Sequence, residues 1–281
     1  MPLPKKWVLA LKADLHVHSC YSDGADSVER VIEKAKKAGV TAISFVDHDT
    51  VSGWQEKQQI AESYGIQAIP GVEISAYDFK RQRKVHILGY HFNPEAPAIT
   101  RLCSGLLELR HNHSMWQVSQ IQAAGFNLDA EAIIESAKPS TTVYKQHIMQ
   151  QLTDAHYTTD EYKFLYKSLF KGTGVAAGDV EYADAVDAVR AVVSDGGLAV
   201  VAHPGQLDSF DLIPELLEAG LGGIERNHFD HSAEDRQKVE KLAQQYGLLM
   251  TGGSDYHGVF GEAIEPGDIV SPEDVNIVKR L

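Results

Sequence analysis

The chain is 281 residues long, with 26 Lys and Arg against 39 Asp and Glu, a formal charge of −13, and 43% hydrophobic residues. These proportions exclude a disordered chain and fit one large domain, or a core domain carrying an insertion. The acidic balance excludes a protein that coats duplex DNA, but not a small phosphorylated substrate whose charge is met locally by metal ions.

In chain order, Ala13–Val17 reads as a strand and Val28–Ala38 as a helix closed by Gly39. Thr41–Val46 reads as a buried strand, and Gly53–Tyr64 as a helix ending at Gly65. Ile66–Ile69 and Val72–Ser75 read as two strand segments broken by Pro70-Gly71, and Val85–Tyr90 as another strand. Strands alternating with helices predict βαβ units and a parallel sheet, an α/β fold. The pattern then changes. Helical periodicity runs through Ala98–Ala124, Asp129–Ala137, Tyr144–Ala155 and Thr159–Phe170, so 98–178 is expected to be a helical insertion between 1–97 and 179–281. Alternation resumes with helices at Val186–Ser194, Leu212–Ala219 and Ala233–Tyr246. Strands are predicted at Leu198–Ala202, Gly222–Glu225 and Leu248–Thr251.

No apolar run approaches the roughly 20 residues that span a bilayer. The run at Met1–Lys12 is too short for a signal peptide, and Cys20 and Cys103 make no disulfide framework. The cytoplasm is the expected compartment, with no membrane partner; nothing signals an oligomeric state.

The chemistry gathers at strand ends. Residues two apart on a strand share a face, so Asp14, His16 and His18 are expected to point together. Asp47-His48-Asp49, Gly71-Val-Glu73, Val85-His86, Ala202-His203-Pro-Gly205 and Gly253-Ser-Asp255-Tyr-His257 repeat the placement. In α/β sheets and barrels, the C-terminal strand ends form the rim of the site. His16, His18, Asp23, His48, Glu73, His86, His203, Asp255 and His257 make nine candidate ligands, more than one ion can use. Nitrogen and carboxylate donors without cysteine suit two or three divalent ions of Mn, Zn or Fe. Clustered divalent ions are a recurring solution for phosphoryl transfer.

These stretches, beginning with Asp14-Leu-His-Val-His-Ser-Cys-Tyr-Ser-Asp-Gly24, resemble the polymerase-and-histidinol-phosphatase (PHP) family of metal-dependent phosphoesterases. The resemblance covers residues 12–95 and 180–260. It implies a distorted (β/α)7 barrel with the site at the C-terminal strand ends. It also implies ligand roles. His16, His18, Glu73 and Asp255 would hold one ion; Glu73 would bridge to a second at His86 and His203; Asp23, His48 and His257 would hold a third. Asp49 would donate a proton or orient a histidine, the second being favoured, with Asp14 in a similar supporting place.

The insertion resembles the cap of the branch that contains 3′,5′-nucleotide bisphosphate phosphatases and 5′-to-3′ exoribonucleases. That branch carries Arg-x-His where this chain has Lys145-Gln146-His147. Lys145, His147, His231 and Arg226 are therefore the candidate substrate residues; Arg226 and His228 are as readily solvated as in contact with phosphate. The implied activity is hydrolysis of a phosphomonoester of a small nucleotide by metal-bound hydroxide, first of all the 3′-phosphate of a nucleoside 3′,5′-bisphosphate. The alternatives are 5′-to-3′ exonuclease action on short RNA, histidinol-phosphate hydrolysis, and a non-catalytic metal-binding regulatory domain.

Overall fold

A computed structural model describes residues 11–272. β1 (Ala13–Val17), β2 (Ala42–Phe45) and the first part of β3 (Gln67–Asp78) pair in parallel, joined by α1 (Val28–Lys37) and α2 (Trp54–Ser63). The Ser27 hydroxyl caps α1 by accepting the Arg30 N–H. Its Val28, Val31, Ile32 and Ala35 recur at helical spacing and bury against Val17, Ile43 and Phe45.

Two sequence expectations are corrected here. Pro70-Gly71 does not break the strand; β3 runs through it and changes partner. Up to Pro70 it lies parallel to β2, and from Gly71 it lies antiparallel to β4 (Arg83–Tyr90). Pro70 loses nothing as a donor at this switch, and its carbonyl accepts the His91 N–H. A side chain at Gly71 would meet the Ser44 hydroxyl at 2.1 Å, so β2 and β3 approach closely only because glycine stands there.

The second correction is to the all-parallel sheet. β4 runs antiparallel to both β3 and β6 (Leu198–Val201), while β6, β7 (Gly223–Asn227) and β8 (Leu249–Gly252) are parallel. The order is β1-β2-β3-β4-β6-β7-β8, and the short β5 (Ala183–Asp184) adds to β3. The sheet nearly closes on itself: His18 N–H reaches the Tyr256 carbonyl at 2.9 Å and Asp255 N–H the His16 carbonyl at 2.7 Å. Leu15, Ile69, Leu88, Tyr90 and Val200 fill the barrel with apolar side chains. The outer face of β3, β4 and β6 packs on α7 (Ala185–Ser194) and α8 (Ile213–Leu216), and α9 (Ala233–Tyr246) lies beside β7 and β8.

Between β4 and β5 lie α3 (Pro97–Ala123), α4 (Ala130–Ser136), α5 (Lys145–Leu152) and α6 (Asp160–Phe170). They bury a core of their own from Val118, Ile121, Ile133, Ile148, Leu169 and Phe170. No helix among the described residues is long and apolar enough to cross a membrane.

Beneath the site, Lys57 of α2 is 2% exposed and sets its ammonium 2.6 Å from Asp47. The Asp47 carboxylate also accepts from Ser19 N–H and from the Ser19 and Ser22 hydroxyls. Removing one member of a buried ion pair leaves the other charged and desolvated. Lys57→Met is expected to cost about 3–5 kcal/mol of unfolding free energy in urea. A loss under about 1 kcal/mol would show that water already reaches Asp47.

Candidate metal centre

The antiparallel β4 explains why His86 belongs to the site although it lies near the start of its strand. Reversal of the chain brings that start to the rim formed by the C-terminal ends of β1, β2, β6 and β8. All nine predicted ligands converge there. Their donor atoms form four overlapping groups: His18, Asp23, His48 and His257; His16, His18 and Asp255; His16, Glu73 and His203; His48, Glu73 and His86.

Glu73, 1% exposed, occupies the centre. Its Oε1 lies 2.9 Å from His86 Nδ1 and 3.0 Å from His203 Nε2. Its Oε2 lies 3.2 Å from His18, 3.4 Å from His16 and 3.4 Å from His48, each at Nε2. Asp255 Oδ1 is 3.2 Å from both His16 and His18. Asp23 Oδ1 is 3.4 Å from His257 and 3.7 Å from His18.

The hydrogen-bond accounting shows that these residues fit metal ions. His16 Nδ1–H donates to Glu225 at 2.9 Å, so its Nε2 carries a lone pair, and that atom is buried with no hydrogen-bond partner. Both His18 nitrogens are likewise buried and unpartnered, as are His48 Nδ1 and His203 Nδ1. A lone pair facing a carboxylate oxygen at 3.2–3.4 Å is repulsive unless a cation or proton stands between them. Two ligands of one ion, each about 2.0–2.2 Å from it, lie about that far apart.

Electrostatics agree. Burial raises the Glu73 pKa, but His48, His86 and His16 override it and hold the carboxylate well below its ordinary range. Asp23 and Asp255 are held low in the same way by His257 and His16 respectively. Burial lowers the His18 pKa, yet the carboxylates of Asp255 and Glu73, each 3.2 Å from its Nε2, carry it up to about 10. Burial brings His48 down to about 4. The three carboxylates are thus held in the charged form that binding a cation requires.

A surrounding layer orients the ligands. Glu225 takes the His16 Nδ1–H and, through Oε2, the His203 N–H at 2.8 Å. His228 Nδ1 accepts the Asp230 N–H, so its Nε2–H donates to Asp255 Oδ2 at 3.1 Å and leaves Oδ1 facing His16 and His18. Asp49 is fully engaged: Oδ1 accepts the Ser75 N–H at 2.7 Å and Oδ2 accepts Arg110 Nη2 at 2.8 Å.

Several residues stand elsewhere than expected. Asp14 does not share the face of His16 and His18, because the β1 register shifts between Asp14 and Val17. Its carboxylate instead takes Ser254 N–H and hydroxyl and Gly267 N–H, and burial pushes its pKa up to about 6. Arg226 follows Glu225 on β7, so it points to the opposite side and pairs with Glu240 on α9. His231 donates from Nδ1 to the Arg226 carbonyl and accepts the Gly205 N–H at Nε2, so both nitrogens brace loops. His147 is buried, and its Nδ1 accepts the Tyr144 N–H at the start of α5. Lys145 alone of the four predicted substrate residues lines the cleft with its charge.

That cleft has two ends. A cavity of about 190 Å³ is walled by His48, Glu73, His86, His203, Asp255 and His257. It shares His48, His86, Gln146, Tyr157 and Gln206 with a larger one of about 430 Å³. The larger cavity holds Lys84, Arg110, Lys145 and Lys171, with Asp179 as their main carboxylate. Arg110 Nε is buried without a hydrogen-bond partner, and its guanidinium lies 5.1 Å from the centre of the Tyr144 ring. Sequence reasoning missed Lys84, Arg110 and Lys171, because a single cation on a helix or strand carries no local mark.

Comparison with known proteins places this geometry in context. The PHP domain family matches residues 14–191. The phosphoribosyl 1,2-cyclic phosphate 1,2-diphosphodiesterase of Eggerthella lenta is 51% identical over 90% of this chain and 97% of its own length. The 3′,5′-nucleoside bisphosphate phosphatase of Chromobacterium violaceum is 30% identical over 87% of this chain and 86% of its own length. A crystal structure from Bifidobacterium adolescentis, titled as that of a metal-dependent phosphoesterase assigned by inference, superposes with a TM-score of 0.86 at 25% identity, covering 96% of this chain and 95% of the other.

Proposed function

The chain belongs to the PHP domain family and is a metal-dependent phosphoesterase, and from that premise we propose that its substrate is a ribose carrying two phosphate groups, one of them a 1,2-cyclic phosphodiester. The observation that supports this reading is the two-ended cleft, with a ligand cluster at one end and four clustered cations at the other. The relative that is 51% identical is named for a phosphoribosyl 1,2-cyclic phosphate.

Two or three divalent ions of Mn, Zn or Fe would suit the six imidazoles and three carboxylates, and Glu73 would be shared by two of the groups that hold them. Such ions neutralise charge on phosphate oxygens and acidify water. Arg110, Lys84, Lys145 and Lys171 seat the remote phosphate and so orient the reacting one. One water opens the cyclic diester by breaking one P–O bond, leaving a monoester and a free hydroxyl. A second water breaks the remaining ester and releases inorganic phosphate.

A second reading, hydrolysis of the 3′-phosphate of a nucleoside 3′,5′-bisphosphate, is favoured by Tyr144, Tyr157, Tyr166, Phe229 and Phe260, whose rings line the cleft and suit a base. Phosphate release from phosphoribosyl 1,2-cyclic phosphate, adenosine 3′,5′-bisphosphate, histidinol phosphate and a short 5′-phosphorylated RNA, each with Mn, Zn, Fe and Mg, separates the readings. We expect the cyclic substrate to lead in kcat/KM. A faster bisphosphate selects the second reading, and equal rates on monophosphates exclude a second phosphate seat.

The seat also implies a pH dependence. Burial, reinforced by Lys84, Lys171 and Arg110, brings the Lys145 ammonium down to about 8 against the pull of Asp179. Below that pH Lys145 is charged and binds phosphate; above it the charge is lost. kcat/KM, which reports the free enzyme, is expected to fall above about pH 8. In Lys145→Ala that limb should be absent; if it persists unchanged, another group titrates.

A further inference from the structure

We propose that Gln146 is a positioning residue for the ligand Asp23, and that through it the helical segment sets how tightly the ion of the His18, Asp23, His48 and His257 group is held. The inference rests on the metal-centre reading above.

Asp23 is one of the residues of the site carried outside a strand. It sits past the end of β1 on the turn that follows His18, whereas His16, Glu73 and His86 are carried within strands. The turn backbone is held from below, where Asp47 takes the Ser19 N–H and the Ser19 and Ser22 hydroxyls. None of those bonds orients the Asp23 carboxylate, and rotation of a carboxylate about its last torsion is broad. The Ser22 hydroxyl touches Oδ1 at a long 3.3 Å.

Gln146 fixes the rotation from above. Its Nε2 donates to Asp23 Oδ2 at 3.1 Å, which leaves Oδ1 facing His257 Nε2 and His18 Nδ1. The amide orientation follows from chemistry, since only the NH2 side can face a carboxylate. Gln146 is itself well placed. The preceding Tyr144 donates its hydroxyl to the His48 carbonyl at 3.0 Å, and its N–H is held by His147 at 3.0 Å. The first turn of α5 is thereby tied to the barrel beside another ligand of the same group.

Contact lengths make this group the sensitive one. Each of the four groups contains one carboxylate, but Asp23 lies 3.4, 3.7 and 4.0 Å from its imidazoles, while Glu73 comes within 2.9 Å and Asp255 within 3.2 Å of theirs. An ion whose affinity depends on one anionic oxygen loses most when that oxygen is free to turn away. Partners of this kind are worth about 10–100-fold in metal affinity.

The test is a Mn²⁺ titration of the full chain stripped by chelator, with calorimetry for affinity and elemental analysis for stoichiometry. In Gln146→Ala, one ion is expected to bind about 10–100-fold more weakly while the others keep their affinity and the metal-free melting temperature is unchanged. Gln146→Glu matches the shape, removes the donor and adds a carboxylate oxygen beside Asp23. It is expected to loosen the same ion as Gln146→Ala does, because the orienting N–H is gone. Unchanged binding in Gln146→Ala, equal loosening of every ion, or a Gln146→Glu as tight as the parent chain would each overturn the proposal. A parent chain that binds no ion at all would instead overturn the metal-centre reading on which it stands.

Discussion

Glu73→Gln is expected to lower kcat/KM by about 10³-fold or more, about 4 kcal/mol, because it removes the carboxylate shared by two of the four donor groups. The substitution preserves shape at a site where both carboxylate oxygens are used: Oε1 toward His86 and His203, Oε2 toward His16, His18 and His48. An amide in this place carries no charge and turns an N–H2 toward imidazole nitrogens that have lone pairs to give to an ion. The protein should therefore also retain fewer ions per chain by elemental analysis, while staying folded. Asp49→Asn gives the comparison. Asp49 touches Arg110 and Ser75 and no ligand side chain, so its loss should cost only about 10–100-fold. If Asp49→Asn is the more damaging change, Asp49 acts on the reacting atoms and the roles given to the two residues are reversed.

The second large effect is expected at Arg110. Its guanidinium is held by Asp49 and the Ser75 hydroxyl, lies against Tyr144, and faces the cavity shared with Lys84, Lys145 and Lys171. Burial lowers its pKa, but Asp49 outweighs this, so the charge is permanent. Binding energy from a remote phosphate is spent on orienting the reacting one, and misplacement by about 1 Å costs about 10²-fold. Arg110→Met should therefore lower kcat/KM about 10²–10³-fold on a substrate with two phosphates. On an analogue that lacks the remote phosphate the loss should be far smaller, since that analogue never used the seat. Equal losses on both substrates would mean that Arg110 serves the metal end through Asp49 alone.

What could be read from the chain itself was everything encoded by local spacing. The nine residues that gather at the barrel mouth were legible because His, Asp and Glu recur where apolar runs stop, and buried ionisable groups require partners. The helices of 97–170 were legible from their periodicity, to within a few residues at each end. The direction of Arg226 was legible in principle, since it follows Glu225 on a strand and neighbouring strand residues face opposite ways.

Tertiary structure alone decided the rest. The passage of β3 from a parallel to an antiparallel partner at Pro70-Gly71 depends on where β4 lies, and no local signal states that. Asp14 left the face of His16 where the β1–β2 register shifts between Asp14 and Val17, and its carboxylate was taken by Ser254 and Gly267 from across the fold. His147 and His231 were drawn off by backbone N–H groups that exist only once the turns around them have formed. Arg110 gained its place because α3, a helix of 27 residues packed beside α7 and β5, sets one guanidinium against Asp49, 61 positions away. Charges so distant in sequence meet only when the core has closed, so their partnership is a property of packing and not of pattern.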